Sequence, residues 1–224
     1  MAWNKGWDQI FKDNEWGKYP PEELIRFVAR TFRAVPAEKR KDIRILEVGC
    51  GTGANLWYLA REGFSAFGMD GSKIALERAK KRFKKEKLKA VIKDGDILSL
   101  PFKGDYFDCV IDVECIYANS MKDSKIILNE IKRVLKPGGY LFSKTFMTGT
   151  YGDGLGRKMP GENNTYLELS EGALHKGYGI IRFTSEQDIQ ELYSVLQIKN
   201  IDHIIRSEKG RQYEVKEWVI TCQK

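Results

Sequence analysis

The sequence predicts a doubly wound α/β domain: a mostly parallel sheet with helices on both faces and an antiparallel strand pair at its end. Three observations carry that prediction. Strand-like apolar runs alternate with helix-like apolar stripes from Ile43 to Phe146. The first run ends in three glycines on alternate positions, "EVGCGTGAN", and a helical pattern starts at once behind them. The chain closes on two long strand-like segments joined by "SEKGR", a connection short enough only for antiparallel neighbours.

The elements follow in order. "WDQIFKDNEWGKYPPE" brings Trp7, Phe11, Trp16 and Tyr19 together ahead of the first helix, as a strap on the core or a cover over a ligand. "PPEELIRFVARTFRAV" is helical, with prolines in its first turn and a stripe of Leu24, Phe27, Val28 and Phe32. Strands are predicted at Ile43–Val48, Phe64–Met69, Leu88–Ile92, Phe107–Asp112 and Tyr140–Phe146. Helices are predicted at Ala54–Glu62, Ser72–Glu86 and Ser124–Leu135, the last stopped by "KPGG". From Met147 to Ile181 no period is sustained, and an irregular functional loop is expected, carrying Tyr151, Arg157, Tyr166, His175 and Tyr178. "TSEQDIQELYSVL" restores a helix, capped by Thr184 or Ser185 with Gln187 or Asp188 three residues on. Strands at Ile198–Arg206 and Tyr213–Cys222 complete the chain.

One domain spanning 1–224 is expected, divided into an N-terminal strap and helix (1–36), a ligand-binding core (43–146), a substrate-loop insertion (147–181) and a C-terminal helix and strand pair (184–224). The composition, 42% hydrophobic and 31% charged, is that of a globular protein. No apolar run approaches the about 20 residues of a membrane helix, and the N-terminus lacks the apolar stretch of a signal peptide; a cytoplasmic protein with no membrane partner is the expectation. Cys50, Cys109, Cys115 and Cys222 form no CxxC pair, so buried thiols are expected rather than a metal site. Net charge is +7, yet Lys73–Lys93 alone carries ten basic and two acidic residues. Leu76, Ala79 and Phe83 recur there at helical spacing, which sends most lysines to a solvated face and weakens a nucleic-acid reading of the charge.

In an open parallel sheet, ligands bind beyond the carboxyl ends of the strands, where "EVGCGTGAN" lies. Gly49 and Gly51 permit a tight turn and close backbone approach, Gly53 lets the helix sit near the strand, and amides at the helix start favour an anionic or strongly polar group. Asp70, at the end of the second strand, is spaced to hold a ribose. These residues admit a nicotinamide dinucleotide as readily as another adenosine-bearing cofactor.

The ordered segments "LEVGCGTG", "GMDGS", "GDILSLPF", "FDCVIDVECIY" and "RVLKPGGYLF" resemble those of the class I S-adenosylmethionine-dependent methyltransferases, in particular the small-molecule, methyltransferase type 11-like branch. The resemblance spans about Ile43 to Phe146. It implies a Rossmann-like, seven-stranded sheet whose last strand is antiparallel. It also implies S-adenosylmethionine as cofactor and S-adenosylhomocysteine as product. Glu47 matches the acid that supports the loop and the cofactor's amino group. Gly49, Cys50, Gly51 and Gly53 match the loop facing the methionine part. Asp70 matches the ribose acid, with Gly71 and Ser72 beside the adenine. Asp96 matches the adenine-amino acceptor, with the amide of Ile97 reaching a ring nitrogen, and Asp112 and Val113 lie against the reacting end. Tyr19 is the expected N-terminal cofactor contact.

A sulfonium methyl is electrophilic without help, so the protein's task is to align a nucleophile, and an acceptor hydroxyl gains from a base. The candidate catalytic residues are Glu114 and Tyr117, after the fourth strand, and His175 in the insertion; "IYAN" stands where the family commonly carries a histidine. The expected reaction is methyl transfer to an O or N atom of a small polar metabolite, such as a sugar or secondary-metabolite precursor, by a monomer or homodimer. Two rivals stand beside it: an RNA or protein methyltransferase using the basic helix, and an S-adenosylmethionine-binding regulator without turnover.

Overall fold

The computed structural model describes residues 4–15, 17–174 and 179–224. Among these described residues, ten strands and six α-helices follow one another as α1 (Gly6–Asp13), α2 (Glu22–Thr31), β1 (Arg44–Val48), α3 (Ala54–Arg61), β2 (Ser65–Asp70), α4 (Lys73–Lys85), β3 (Val91–Asp94), β4 (Phe107–Val113), α5 (Met121–Val134), β5 (Leu135–Phe146), β6 (Gly156–Lys158), β7 (Thr165–Leu169), β8 (Ile181–Arg182), α6 (Glu186–Leu192), β9 (Gln197–Glu208) and β10 (Tyr213–Gln223). Seven strands form one sheet in the order β3-β2-β1-β4-β5-β10-β9. Pairs from β3 through β5 are parallel, and β10 runs antiparallel to both β5 and β9. The hairpin legible in the sequence therefore folds back, so that the last strand inserts beside β5. The strand order reverses between β1 and β4, where the crevice of a doubly wound sheet opens.

Alternation of side chains along the strands divides the core in two. Leu46 and Val48 of β1 face a layer built with Ile127, Leu128 and Ile131 of α5 and Ile189 of α6. Ile45 faces Leu24 and Val28 of α2, Leu56 and Leu59 of α3, and Leu76 and Phe83 of α4. Both faces are covered, as a parallel sheet requires.

Four sequence expectations are corrected. The third strand begins at Val91 rather than Leu88, because α4 ends in a Schellman turn. Lys87 takes φ 55°, Leu88 N–H donates to Phe83 O at 3.0 Å, and Lys87 N–H donates to Lys84 O at 3.3 Å. The helix α5 starts at Met121, capped by Ser120, whose Oγ accepts from Asp123 N–H at 3.0 Å. "KPGG" does not separate that helix from the next strand: β5 starts at Leu135, and the motif forms an irregularity within it, opposite Phe107 to Cys109. Finally, the 147–181 segment is not irregular throughout. It builds a second sheet, β6-β7-β8, over a third apolar cluster of Tyr117, Phe146, Tyr166, Leu169, Ile181, Phe183 and Val215. Its strands are two to five residues long, too short to show a period.

The helix α6 carries a complete capping box between Ser185 and Asp188. Among the described residues, no helix is long and apolar enough to cross a membrane.

Candidate active site

At the carboxyl ends of β1, β2 and β4 lies a cavity of about 260 Å³. Its wall includes Glu47, Gly49, Cys50 and Gly51 from β1 and the turn behind it, Asp70 and Gly71 from the end of β2, and Ile97. Val113, Glu114 and Tyr117 enclose it after β4, and Tyr19 stands at its N-terminal side. Eleven of the residues singled out from sequence thus meet around one space. Gly53, Ser72, Asp96 and Asp112 are not in its wall, and His175 lies outside the described residues.

The strand β1 delivers Glu47 because its alternation turns this carboxylate toward α3, in an otherwise apolar layer. Glu47 is buried; Asn55 Nδ2 donates to its Oε1 at 2.6 Å, and Oε2 has no partner. Burial raises the Glu47 carboxyl well above the usual carboxylate range, with Asp70 and Asp112 adding to the rise. The orphan oxygen is an acceptor that lacks its donor, the place for a cationic or hydrogen-donating group.

The glycine turn does not offer its amides freely, which revises the sequence expectation. Gly49 and Cys50 N–H both donate to Met69 O, at 2.8 and 3.1 Å, and Gly51 N–H donates to Asp70 Oδ2 at 2.8 Å. The glycines serve close packing instead. A Cβ on Gly49 (φ 68°) would fall 2.1 Å from Cys115 Sγ, so β1's turn and the segment after β4 meet only because that carbon is absent. Gly53 brings α3 against α4, its missing Cβ lying 3.1 Å from Ala79 Cβ, rather than against the strand.

Asp70 accepts from Gly51 N–H on one oxygen and, at 2.7 Å, from Ser72 N–H on the other. A carboxylate has about four acceptor positions, so two remain for a vicinal diol. Burial nonetheless raises Asp70 above its ordinary value, against the pull of these two amides. Ser72 is a cap: its Oγ accepts from Ala75 N–H at 3.2 Å and donates to Asp8 Oδ1 at 2.6 Å. Asp96 turns its Oδ1 to Leu98 N–H at 3.0 Å, in an Asx turn that sets Ile97 into the wall.

Asp112 stands behind the wall. Its Oδ1 accepts from Cys115 and Ile116 N–H at 3.0 and 3.1 Å, and its Oδ2 from Ser143 Oγ at 2.6 Å. It shapes the turn that presents Glu114, and burial pushes its carboxyl up to about 6. Glu114 holds φ 56°, a left-handed conformation rare outside glycine and asparagine. Lys144 Nζ donates to Glu114 Oε1 at 2.7 Å and also to Glu217, which in turn accepts from Arg206 Nη1. Burial raises Glu114 in spite of Lys144. Tyr117 is buried edge-on to Phe146, ring centres 4.9 Å apart, and burial pushes its hydroxyl far up, which makes it a hydrogen-bonding group rather than a base.

The N-terminal segment is both strap and cover. Phe11 is buried with its ring 3.4 Å from where a Gly51 Cβ would stand, and Trp7 joins it in the wall. Arg78 and Arg82 of the basic helix hold this segment in place, donating to Asn14 O at 3.0 Å and Lys18 O at 2.7 Å. Tyr19 is exposed and packs edge-on against Trp57 at 5.5 Å. Trp16 lies outside the described residues. Sequence reasoning passed over Asn55, Asn119 and Lys144. A buried asparagine in the first turn of α3 and the "IYAN" departure were the available signals; nothing in a strand lysine announces burial.

Residues 45–139 match the profile of a methyltransferase domain. The chain is 38% identical over 100 residues to an uncharacterized methyltransferase, YodH, of Bacillus subtilis, covering 45% of this chain and 42% of that protein. It is 32% identical over 144 residues to the fatty-acid O-methyltransferase of Mycolicibacterium smegmatis, covering 59% and 51%. It thus spans about half the length of these curated relatives. Its fold matches a crystal structure of a SAM-dependent methyltransferase from Methanosarcina mazei with a TM-score of 0.66 at 24% identity, over 81% of this chain and 92% of that one. With its glycine turn, its acids on successive strand ends and the sheet order above, the chain carries a methyltransferase domain over residues 45–139 and has the fold of a SAM-dependent methyltransferase.

Proposed function

We propose that the protein transfers a methyl group from S-adenosylmethionine to an O or N atom of a small molecule. The observation that carries this reading is the pairing, in one cavity, of Glu47, with an unpartnered buried oxygen, and Asp70, with two acceptor positions left after its backbone bonds. These are the complements of an ammonium group and a ribose diol. Glu47 would hold the amino group, Asp70 the ribose hydroxyls, and Ile97 and Tyr19 would flank the base. When bound, the cofactor supplies an electrophilic methyl group. This chain's residues bind, align and exclude water: Phe11 and Trp7 close one side, and Tyr117, Glu114 and the third apolar cluster close the other. Glu114, held at Oε1 by Lys144, stands in the cavity wall, where it would meet the hydroxyl or amine of an acceptor. The M. smegmatis relative is a fatty-acid O-methyltransferase, which supports a small-molecule acceptor.

Calorimetric titration tests the reading. S-adenosylmethionine is expected to bind at a single site, and Asp70→Ala to weaken it at least tenfold, about 1.4 kcal/mol or more. Wild-type affinity in that variant would remove Asp70 from the site, and absence of binding to the wild type would overturn the methyl-donor reading.

A further inference from the structure

The inserted last strand brings a charge cluster up behind the cavity. β10 runs antiparallel beside β5, with Val219 opposite Lys144 and Glu217 opposite Phe146. There Lys144 Nζ donates to two carboxylates at once, to Glu114 Oε1 at 2.7 Å and to Glu217. Glu217 receives a second cation on its other oxygen, from Arg206 Nη1 of β9, whose Nε donates to Glu208 at 3.0 Å. Among the described residues, the charged groups that face Glu114 are Lys144 and Glu217, with the Tyr117 hydroxyl on its own turn. Arg206 and Glu208 reach it through Glu217, and Glu47 and Asp70 share its cavity wall.

The two carboxylates are not equivalent. Glu217 is enclosed, with 1% of its side chain accessible, and both of its oxygens meet a cation. Glu114 keeps 34% of its side chain accessible, lines the cavity and has only a share of one ammonium. Its backbone is fixed by a left-handed conformation and by its N–H donating to Lys144 O at 2.9 Å. Environments that differ in this way divide the roles of neighbouring carboxyls: one stays ionised and the other exchanges a proton. A lysine given wholly to Glu114 would make it a weaker base. Sharing that lysine with Glu217 keeps Glu114 nearer the strength that a proton acceptor needs at neutral pH. Burial and the charge of Glu217 raise Glu114 accordingly, against the pull of Lys144.

On this basis, which rests on the methyl-transfer reading above, we infer that Glu114 takes the acceptor's proton, and that Lys144 and Glu217 are positioning residues that set its protonation through one shared ammonium. In that step the acceptor's O–H or N–H bond breaks and its proton passes to the Glu114 carboxylate. The acceptor's electron pair forms the bond to the methyl carbon, and the pair of the broken carbon–sulfur bond stays on sulfur. Lys144 then remains balanced by Glu217, and Arg206 by Glu208, so the transfer leaves no buried charge unpaired.

Protein whose glutamates carry ¹³C at the side-chain carboxyl tests this by NMR, the Glu114 resonance being assigned by its loss in Glu114→Gln. In the free wild type that resonance is expected to titrate above the usual glutamate range. Glu217→Gln is expected to lower its midpoint by about one pH unit, because Lys144 then serves Glu114 alone. Lys144→Gln is expected to raise it by about as much, and Arg206→Gln by about half as much, because Glu217 then draws harder on Lys144. A residue that merely supports the fold would not move the midpoint in opposite directions at unchanged Tm. Saturation with S-adenosylmethionine is expected to lower the wild-type midpoint by about one pH unit relative to S-adenosylhomocysteine, which lacks the sulfonium charge. A midpoint that Glu217→Gln leaves in place or raises, or that Arg206→Gln leaves in place or lowers, overturns the shared-ammonium assignment. Equal midpoints with the two ligands remove Glu114 from the reacting end. If Lys144→Gln does not fold, Arg206→Gln, whose side chain is 46% accessible in the wild type, supplies the opposite sign. S-adenosylmethionine binding is measured first by calorimetry; its absence counts against the methyl-donor reading, whereas the free-protein titrations decide the carboxyl pair by themselves.

Discussion

Glu47 shows how one residue links burial to binding. Its carboxyl is raised well above the usual carboxylate range by desolvation, so burial favours the protonated acid in the empty site. An ammonium arriving at the orphan Oε2 favours the carboxylate and expels that proton. Binding of S-adenosylmethionine is therefore expected to release protons, seen as a calorimetric enthalpy that depends on the buffer's ionisation enthalpy. Glu47→Gln should remove that dependence while weakening binding. A buffer-independent enthalpy in the wild type would show that Glu47 is ionised before the ligand arrives. Asp70 differs in kind, since its two backbone donors already hold part of its charge and no such proton release is expected of it.

At the scale of elements, the turn after β4 is built around Asp112, which closes two backbone N–H groups and Ser143 onto one buried carboxyl. Its value of about 6 lies above that of an unfolded aspartate, so the group favours folding most below pH 4 and loses that contribution as pH rises through 6. The gap corresponds to about 3 kcal/mol at most. Asp112→Asn keeps an oxygen for the two amides and offers Ser143 a donor. The difference in unfolding free energy between variant and wild type, measured from pH 4 to 7.5, is expected to shift in favour of the variant as pH rises; a flat difference would mean that Asp112 is not desolvated. The turn at β1 depends on space instead. Gly49→Ala would drive a methyl group into Cys115, and a lowered Tm with loss of cofactor binding is expected.

For the whole molecule, the small sheet of β6, β7 and β8 packs on the apolar cluster that includes Tyr117 of the cavity wall, fastened by Arg182 and by Phe146 and Phe183. Deleting residues 149–179 is expected to spare S-adenosylmethionine binding, which draws on β1 and β2, and to abolish methyl transfer; retained turnover would remove the segment from the acceptor site. The charge excess belongs to this scale too. Arg78 and Arg82 anchor the N-terminal cover, whereas Lys80, Lys81, Lys84 and Lys85 stay exposed. Replacing those four lysines by glutamine should leave cofactor binding and turnover unchanged, and a loss of either would restore the nucleic-acid reading.

What could be read in the chain beforehand was whatever rests on local periodicity. Alternation from Ile43 to Phe146, the glycine turn, Asp70 at the second strand end and the closing hairpin all repeat at short range, and together they specified the main sheet and the half of the site that β1 and β2 build. Short-range pattern had no purchase on β6–β8, whose strands span a few residues each, or on Lys144, which is buried only because Glu114 and Glu217 converge on it from distant positions. Tertiary structure alone decided that the loop amides of Gly49–Gly51 are spent on Met69 and Asp70, that Asp112 faces a turn rather than the cavity, and that Asn119 keeps a buried oxygen unpaired. Each depends on which polar group is left over once all others are paired, and that accounting closes only when the whole chain is in place.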